Sequence, residues 1–219
     1  MSITTFLLDL DGTVVDSRRD LAAATNLLLA EYGLPTLPLD VVCTFVGRGA
    51  RTLVRRALDH VDPEETVPRD DPGLRRFLGH YQSVLLDTTV PFPGVLAGLE
   101  ALRRAGVPLA IVTNKPFVPA MEVLDGLGLT LFFGAILGGD TLPTRKPDPA
   151  MLAEAARRLD VPLAGCLMVG DSDVDIAAAR AAGVPGVWCS WGGFHPEQPA
   201  DADHAVTRFE EVVALALAP

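Results

Sequence analysis

The run FLLDLDGTVVDS (6–17) sets Asp9 and Asp11 two positions apart at the end of an apolar stretch. Extended backbone projects residues i and i+2 to the same side, so the two carboxylates share one space. Gly12 permits a tight turn, and Thr13 offers a hydroxyl or a backbone N–H. Taken alone, the pattern suits a polar turn, a cation cage, or a nucleophile beside its proton donor. A calcium loop fits poorly, because its glycine belongs at position six, whereas Gly12 is fourth counted from Asp9.

Other apolar runs also end in residues with chemistry. PLAIVTN (108–114) closes on Thr113 and Asn114; a hydroxyl and backbone N–H groups there can hold a phosphoryl oxygen. GAILGGD (134–140) ends on Asp140, and CLMVGD (166–171) ends on Asp171. In GDSDVD (170–175), Asp171 and Asp175 stand four apart at a predicted helix start, on one face. Capping and the helix dipole account for one or two acids there; three in five residues is more than a cap needs, and hard oxygen ligands of this kind suit Mg²⁺. Of 18 basic residues only Lys115 and Lys146 are lysines. Lys146, at a helix entry, can neutralise a transferred phosphoryl group and steady a carboxylate nucleophile.

These residues meet only if the runs that carry them are neighbouring strands. The runs 4–11, 108–114, 134–140, 166–171 and 185–191 are apolar on both faces, as in a parallel sheet covered by helices. Helical patterns lie between most of them. Residues 94–106 stop at Gly106, residues 148–161 start with Asp148 as N-cap and Pro149 as N1, and residues 173–184 end at Gly183. The alternation predicts an α/β fold with a Rossmann-like parallel sheet and right-handed crossovers. Ligands bind beyond the carboxyl ends of such strands.

Residues 17–90 break the rhythm: no strand pattern, and helical stretches at 17–32, 39–46, 49–60 and 72–86, with a loop around Pro68. They read as a helical cap domain inserted after the first strand. Residues 1–16 and 91–219 then form the core, with hinges near Asp16 and at Pro91–Gly94. Asp16 and Ser17 are expected only to mark the exit toward this lid.

In order and spacing, DLDGT (9–13), TN (113–114), Lys146 and GDSDVD (170–175) resemble the motifs of the haloacid dehalogenase superfamily of aspartate-nucleophile phosphotransferases. The resemblance spans essentially the whole chain, and 17–90 is similar to the cap of one of its subclasses. It implies that Asp9 attacks phosphorus to give an aspartyl-phosphate and that Asp11 is the general acid and then base. It further implies that Thr113 and Lys146 bind the phosphoryl group, with Asn114 beside them. Mg²⁺ would be held by Asp9, the Asp11 carbonyl and Asp171, with Asp175 in contact directly or through water. The dehalogenases lack an acid at the Asp11 position, and phosphonatases need a cap lysine, which 17–90 does not contain.

DSRRDL (16–21), FVGRGARTLVRRAL (45–58) and VTNKP (112–116) are similar to phosphoglycolate phosphatases. That likeness implies a small phosphorylated metabolite as substrate, with Arg48 facing its carboxylate or else solvated in a turn. Pyrophosphatases and sugar phosphatases share such motifs. A hexose-phosphate mutase would want a cap lysine and histidine, and a non-catalytic phosphate-binding protein would have lost a motif carboxylate.

With 49% hydrophobic and 21% charged residues the chain reads as globular. A net charge of -10 argues against nucleic acid as a partner. No apolar run approaches the roughly 18 residues of a membrane span, and Cys43, Cys166 and Cys189 form no CxxC pair. The expectation is a cytoplasmic protein without membrane or nucleic-acid partners; no feature sets an oligomeric state.

Overall fold

Phe6, Leu7 and Leu8 are fully buried. Phe6 and Leu8 join the apolar cluster on one side of a sheet and Leu7 the cluster on the other, the period-2 alternation of a strand covered on both faces. The structure, a computed structural model, describes residues 5–67, 71–195 and 197–217; Pro68 lies outside these.

In chain order the elements are β1 (Thr5–Leu8), β2 (Val15–Asp16), α1 (Arg18–Glu31), α2 (Leu39–Cys43), α3 (Ala50–Val61), α4 (Asp71–Val84) and β3 (Val90–Pro91). There follow α5 (Val95–Arg104), β4 (Leu109–Val112), α6 (Phe117–Gly126), β5 (Ala135–Leu137) and α7 (Ala150–Arg158). The chain finishes with β6 (Cys166–Gly170), α8 (Asp173–Ala182), β7 (Gly186–Cys189), β8 (His204–Val206) and α9 (Phe209–Leu217). The main sheet runs β5-β4-β1-β6-β7-β8 with every pairing parallel. The chain builds leftward from β1 and then rightward, so strand order reverses at β1. That is where an open α/β sheet gathers a ligand crevice, and Asp9 follows β1 directly. No helix among the described residues is long and apolar enough to cross a membrane.

The helices between β2 and β3 pack on one another, chiefly α1 on α4. In α1 the buried Leu21, Thr25, Leu28 and Leu29 follow the 3–4 residue period of an apolar stripe, which faces Phe77 and Tyr81 of α4 within one cluster.

The expected strands and helices are present, with differences. Val90–Pro91 pairs antiparallel with Val15–Asp16, a ladder too short to leave a periodic signal. Helix α6 was hidden by Pro119, which sits in its first turn where no intrahelical donor is lost. Helix α7 begins one residue later than predicted, with Pro149 at the N-cap position; the Asp148 carboxylate still accepts from Ala150 N–H at 2.9 Å.

Candidate active site

The β1 strand delivers Asp9 with its backbone N–H bonded to Val169 O of β6 at 2.9 Å. Asp9 and Asp11 line one pocket with Thr113, Asn114 and Lys115 from the end of β4. Its far wall is Leu21, Gly47, Gly49, Leu53, Phe77 and Tyr81, from the helical segment. The strand ends of β1 and β4 thus bring Asp9, Asp11, Thr113 and Asn114 together, as expected.

Lys146 is buried, and its ammonium donates to Asp9 Oδ1 at 2.8 Å and to Asp175 Oδ1 at 2.6 Å. Burial alone would lower its pKa; the charges of Asp175 and Asp9 outweigh that and raise it. Burial is also the main influence on Asp9, whose pKa is pushed up to about 6: Lys146 opposes the rise, and Asp175 and Asp11 add to it. Burial, then the Asp175 and Asp9 charges, raise Asp171 well above the carboxylate range.

Asp9, Asp171 and Asp175 each present an oxygen, all within 4.8 Å of one another. Asp171 Oδ2 is buried with no hydrogen-bond partner among the described residues. An orphaned carboxylate oxygen in a like-charged cluster is what a divalent cation would relieve. Gly12 makes room for it: φ is +91°, and a Cβ there would come within 2.3 Å of Asp171 Oδ2. Asp175 is less free. Its Oδ1 holds Lys146, and its Oδ2 accepts from Ser172 N–H at 3.1 Å and Ser172 Oγ at 2.6 Å in a capping box. The geometry fits Asp175 to orienting Lys146 and capping α8 better than to direct ligation.

Asp11 has partners that the sequence did not suggest. Ser17 Oγ donates to Asp11 Oδ1 at 2.5 Å, so Ser17 does more than mark the chain's exit from the core. Lys115 Nζ lies 2.9 and 3.1 Å from the two Asp11 oxygens and 2.6 Å from Tyr81 Oη. The scarcity of lysine was a signal for Lys115, but its partners lie 104 and 34 residues away in sequence.

Three expectations change. Arg48 does not line the pocket; its guanidinium pairs with Asp173 Oδ2 at 2.7 Å on the surface, because Asp173 at the start of α8 is a nearer anion. Asn114 lines the pocket, but its amide nitrogen is spent on Gly47 O and Lys146 O, both at 3.0 Å, tying helical segment to core. Asp140 is exposed and accepts from Phe117 N–H at 2.7 Å, an end-cap for α6 outside the pocket.

The sequence pattern of haloacid dehalogenase-like hydrolases matches residues 6–189. The chain is 43% identical over 214 residues to the plasmid phosphoglycolate phosphatase of Cupriavidus necator, covering 97% of this chain and 92% of that one. It is 43% identical over 191 residues to the phosphoglycolate phosphatase of Colwellia psychrerythraea, covering 85% and 84%. The crystal structure of a predicted phosphoglycolate phosphatase from Haemophilus somnus superimposes with a TM-score of 0.88 at 30% identity, covering 98% of both chains.

Proposed function

The chain belongs to the haloacid dehalogenase-like hydrolase family, and from that premise we propose that it is a Mg²⁺-dependent phosphomonoester hydrolase whose substrate is a small phosphorylated metabolite, 2-phosphoglycolate being the ester its relatives are named for. The observation that carries this reading is Lys146, whose one ammonium joins Asp9 to Asp175 beside the unpartnered Asp171 Oδ2. A polar turn needs no buried cation, and a simple cation cage needs no lysine among its carboxylates.

Asp9, Asp171 and the backbone carbonyl of Asp11 would hold the cation, which offsets the charge of phosphoryl oxygens against the attacking carboxylate. Asp9 attacks phosphorus; the new O–P bond forms as the ester P–O bond breaks, leaving an aspartyl-phosphate. Asp11 gives its proton to the departing alkoxide and then takes one from the water that attacks phosphorus, releasing phosphate and restoring Asp9. Thr113 donates to a phosphoryl oxygen, and Lys146 balances the phosphoryl charge while keeping Asp9 ionised.

Residues 17–90 act as the cap that closes over this site and excludes water, moving against the core of 1–16 and 91–219. With the cap as it lies, the cavity is about 40 Å³, where one water needs roughly 10–15 Å³. This favours a short leaving group over a sugar or nucleoside. A mutase is disfavoured because no histidine among the described residues lines the pocket and His60 lies against Phe45. The three cysteines are free and buried, which suits a reducing cytoplasm.

The test is Asp9→Asn assayed with Mg²⁺ and 2-phosphoglycolate, its fold checked by circular dichroism. Phosphate release should fall at least about 1,000-fold, as expected when a nucleophile is removed. Retention of a tenth of the activity in a folded variant would remove Asp9 from the role.

A further inference from the structure

Lys115 supports a step beyond the phosphatase reading, on which the step rests. Its side chain is 3% exposed, and it is the only cation among the described residues lining the pocket. Its Nζ lies within hydrogen-bond distance of Asp11 Oδ1, Asp11 Oδ2 and Tyr81 Oη. One N–H can serve both oxygens of a carboxylate, which leaves a third donor for a ligand. Tyr81 accepts from Lys115, so its own O–H is a further donor. Burial, offset by Lys115, raises the Tyr81 pKa to about 12, so the phenol stays protonated. The nearby wall formed by Leu21, Leu53 and Phe77 is apolar.

The position of this pair fixes what it can recognise. Asp11 must reach the ester oxygen to protonate it, and Lys115 touches Asp11. An acceptor one carbon from the ester oxygen then lies within reach of the ammonium, and Tyr81 approaches from the opposite wall. A neutral substituent there would leave the buried ammonium with only Asp11 and Tyr81 Oη as side-chain acceptors among the described residues. A carboxylate would satisfy both donors. We propose that Lys115 Nζ and Tyr81 Oη form a carboxylate subsite that selects phosphate esters of 2-hydroxy carboxylic acids over esters of neutral alcohols. In this arrangement Lys115, not Arg48, determines specificity.

The measurement is the ratio of kcat/KM for 2-phosphoglycolate to that for 2-hydroxyethyl phosphate, which replaces the carboxylate by an alcohol. The wild-type ratio should be large, and Lys115→Met should shrink it about 10- to 100-fold, the worth of a charged hydrogen bond. Tyr81→Phe, which removes one hydroxyl from a helix that otherwise keeps its packing, should shrink it less, with tighter inhibition by glycolate than by ethylene glycol lost in parallel. An unchanged ratio in both variants, even with both activities lowered, would mean that Lys115 only positions Asp11, and would overturn the subsite. Should Lys115→Met fail to fold, the Tyr81→Phe ratio alone decides. A wild-type enzyme that hydrolyses both esters equally well overturns the subsite and leaves the phosphatase reading standing. A wild type that hydrolyses neither with Mg²⁺ ends both.

Discussion

Asp9 shows how a single residue can set the pH response of the fold. Burial first, with Asp175 and Asp11 assisting and Lys146 opposing, raises its pKa from 3.8 to about 6. A raised carboxyl pKa means that the folded protein holds a proton that the unfolded chain has already released. Stability contributed by this group is therefore greatest below pH 4 and declines as pH rises through the window from about 4 to 6. The decline is on the order of 3 kcal/mol for the cation-free protein. Denaturant titrations in EDTA across that window should find a falling segment in wild type that is flattened in Asp9→Asn; parallel curves would refute the assignment. At this scale the sequence was informative about identity and blind to partnership. Asp9, Asp11 and Thr113 could be picked out because strand ends expose residue types that a covered strand otherwise excludes, and Lys146 because lysine is scarce in this chain. Ser17 and Tyr81 could not, since a serine at a helix start and a tyrosine on an apolar stripe have ordinary reasons to be there. Arg48 was left between a substrate carboxylate and a solvated turn because glycine-rich flanks show that a loop approaches a site without showing where its long side chain turns; here it pairs with Asp173, 125 residues away.

Between elements, the decisive contacts join the helical segment to the sheet. Asp20, in the first turn of α1, is 2% exposed and accepts from the backbone N–H and hydroxyl of both Thr88 and Thr89. This one carboxylate straps the outgoing chain to the returning one, just before Val90 pairs with Asp16. Asp20→Ala leaves four donors without their acceptor and should cost about 2–4 kcal/mol of unfolding free energy. A urea titration showing a loss below ~0.5 kcal/mol would show that water or a neighbour replaces the strap. By contrast, the Arg48–Asp173 pair is roughly half exposed at both ends and contributes about 0–1 kcal/mol. The parallel sheet was legible because short runs apolar on both faces, each bounded by turn residues, suit strands covered by helices on either side. The helices were legible because their stripes and terminal glycines agree. The β2–β3 ladder, β8 and the Asp20 strap were not: two-residue strands carry no period, β8 exposes His204 and Ala205 and so shows no apolar run, and an aspartate in a first helical turn already has the helix dipole as its reason.

For the molecule as a whole, the site is a concentration of unfavourable charge that the fold tolerates for the sake of a ligand. Asp9, Asp171 and Asp175 lie buried together against one ammonium, and Asp171 Oδ2 has no partner. Such a cluster stores instability that a divalent cation should release, since anything that binds only the folded state stabilises it by mass action. At a Mg²⁺ concentration about 100 times its Kd the gain is about 2.7 kcal/mol, or a rise in Tm of about 5–10 °C for a chain of this length. Asp171→Asn should behave in the opposite sense. Without the cation Asp171 is held toward its protonated form, which an amide imitates while supplying a donor to the remaining carboxylates, so the variant's Tm in EDTA should equal or exceed that of wild type. Addition of Mg²⁺ should then move it little. Both results are needed, because an ordinary core defect at 171 would lower Tm with and without the cation. A variant less stable than wild type in EDTA would place the worth of Asp171 in packing, whereas a crossover between the two proteins on adding Mg²⁺ would tie it to the cation.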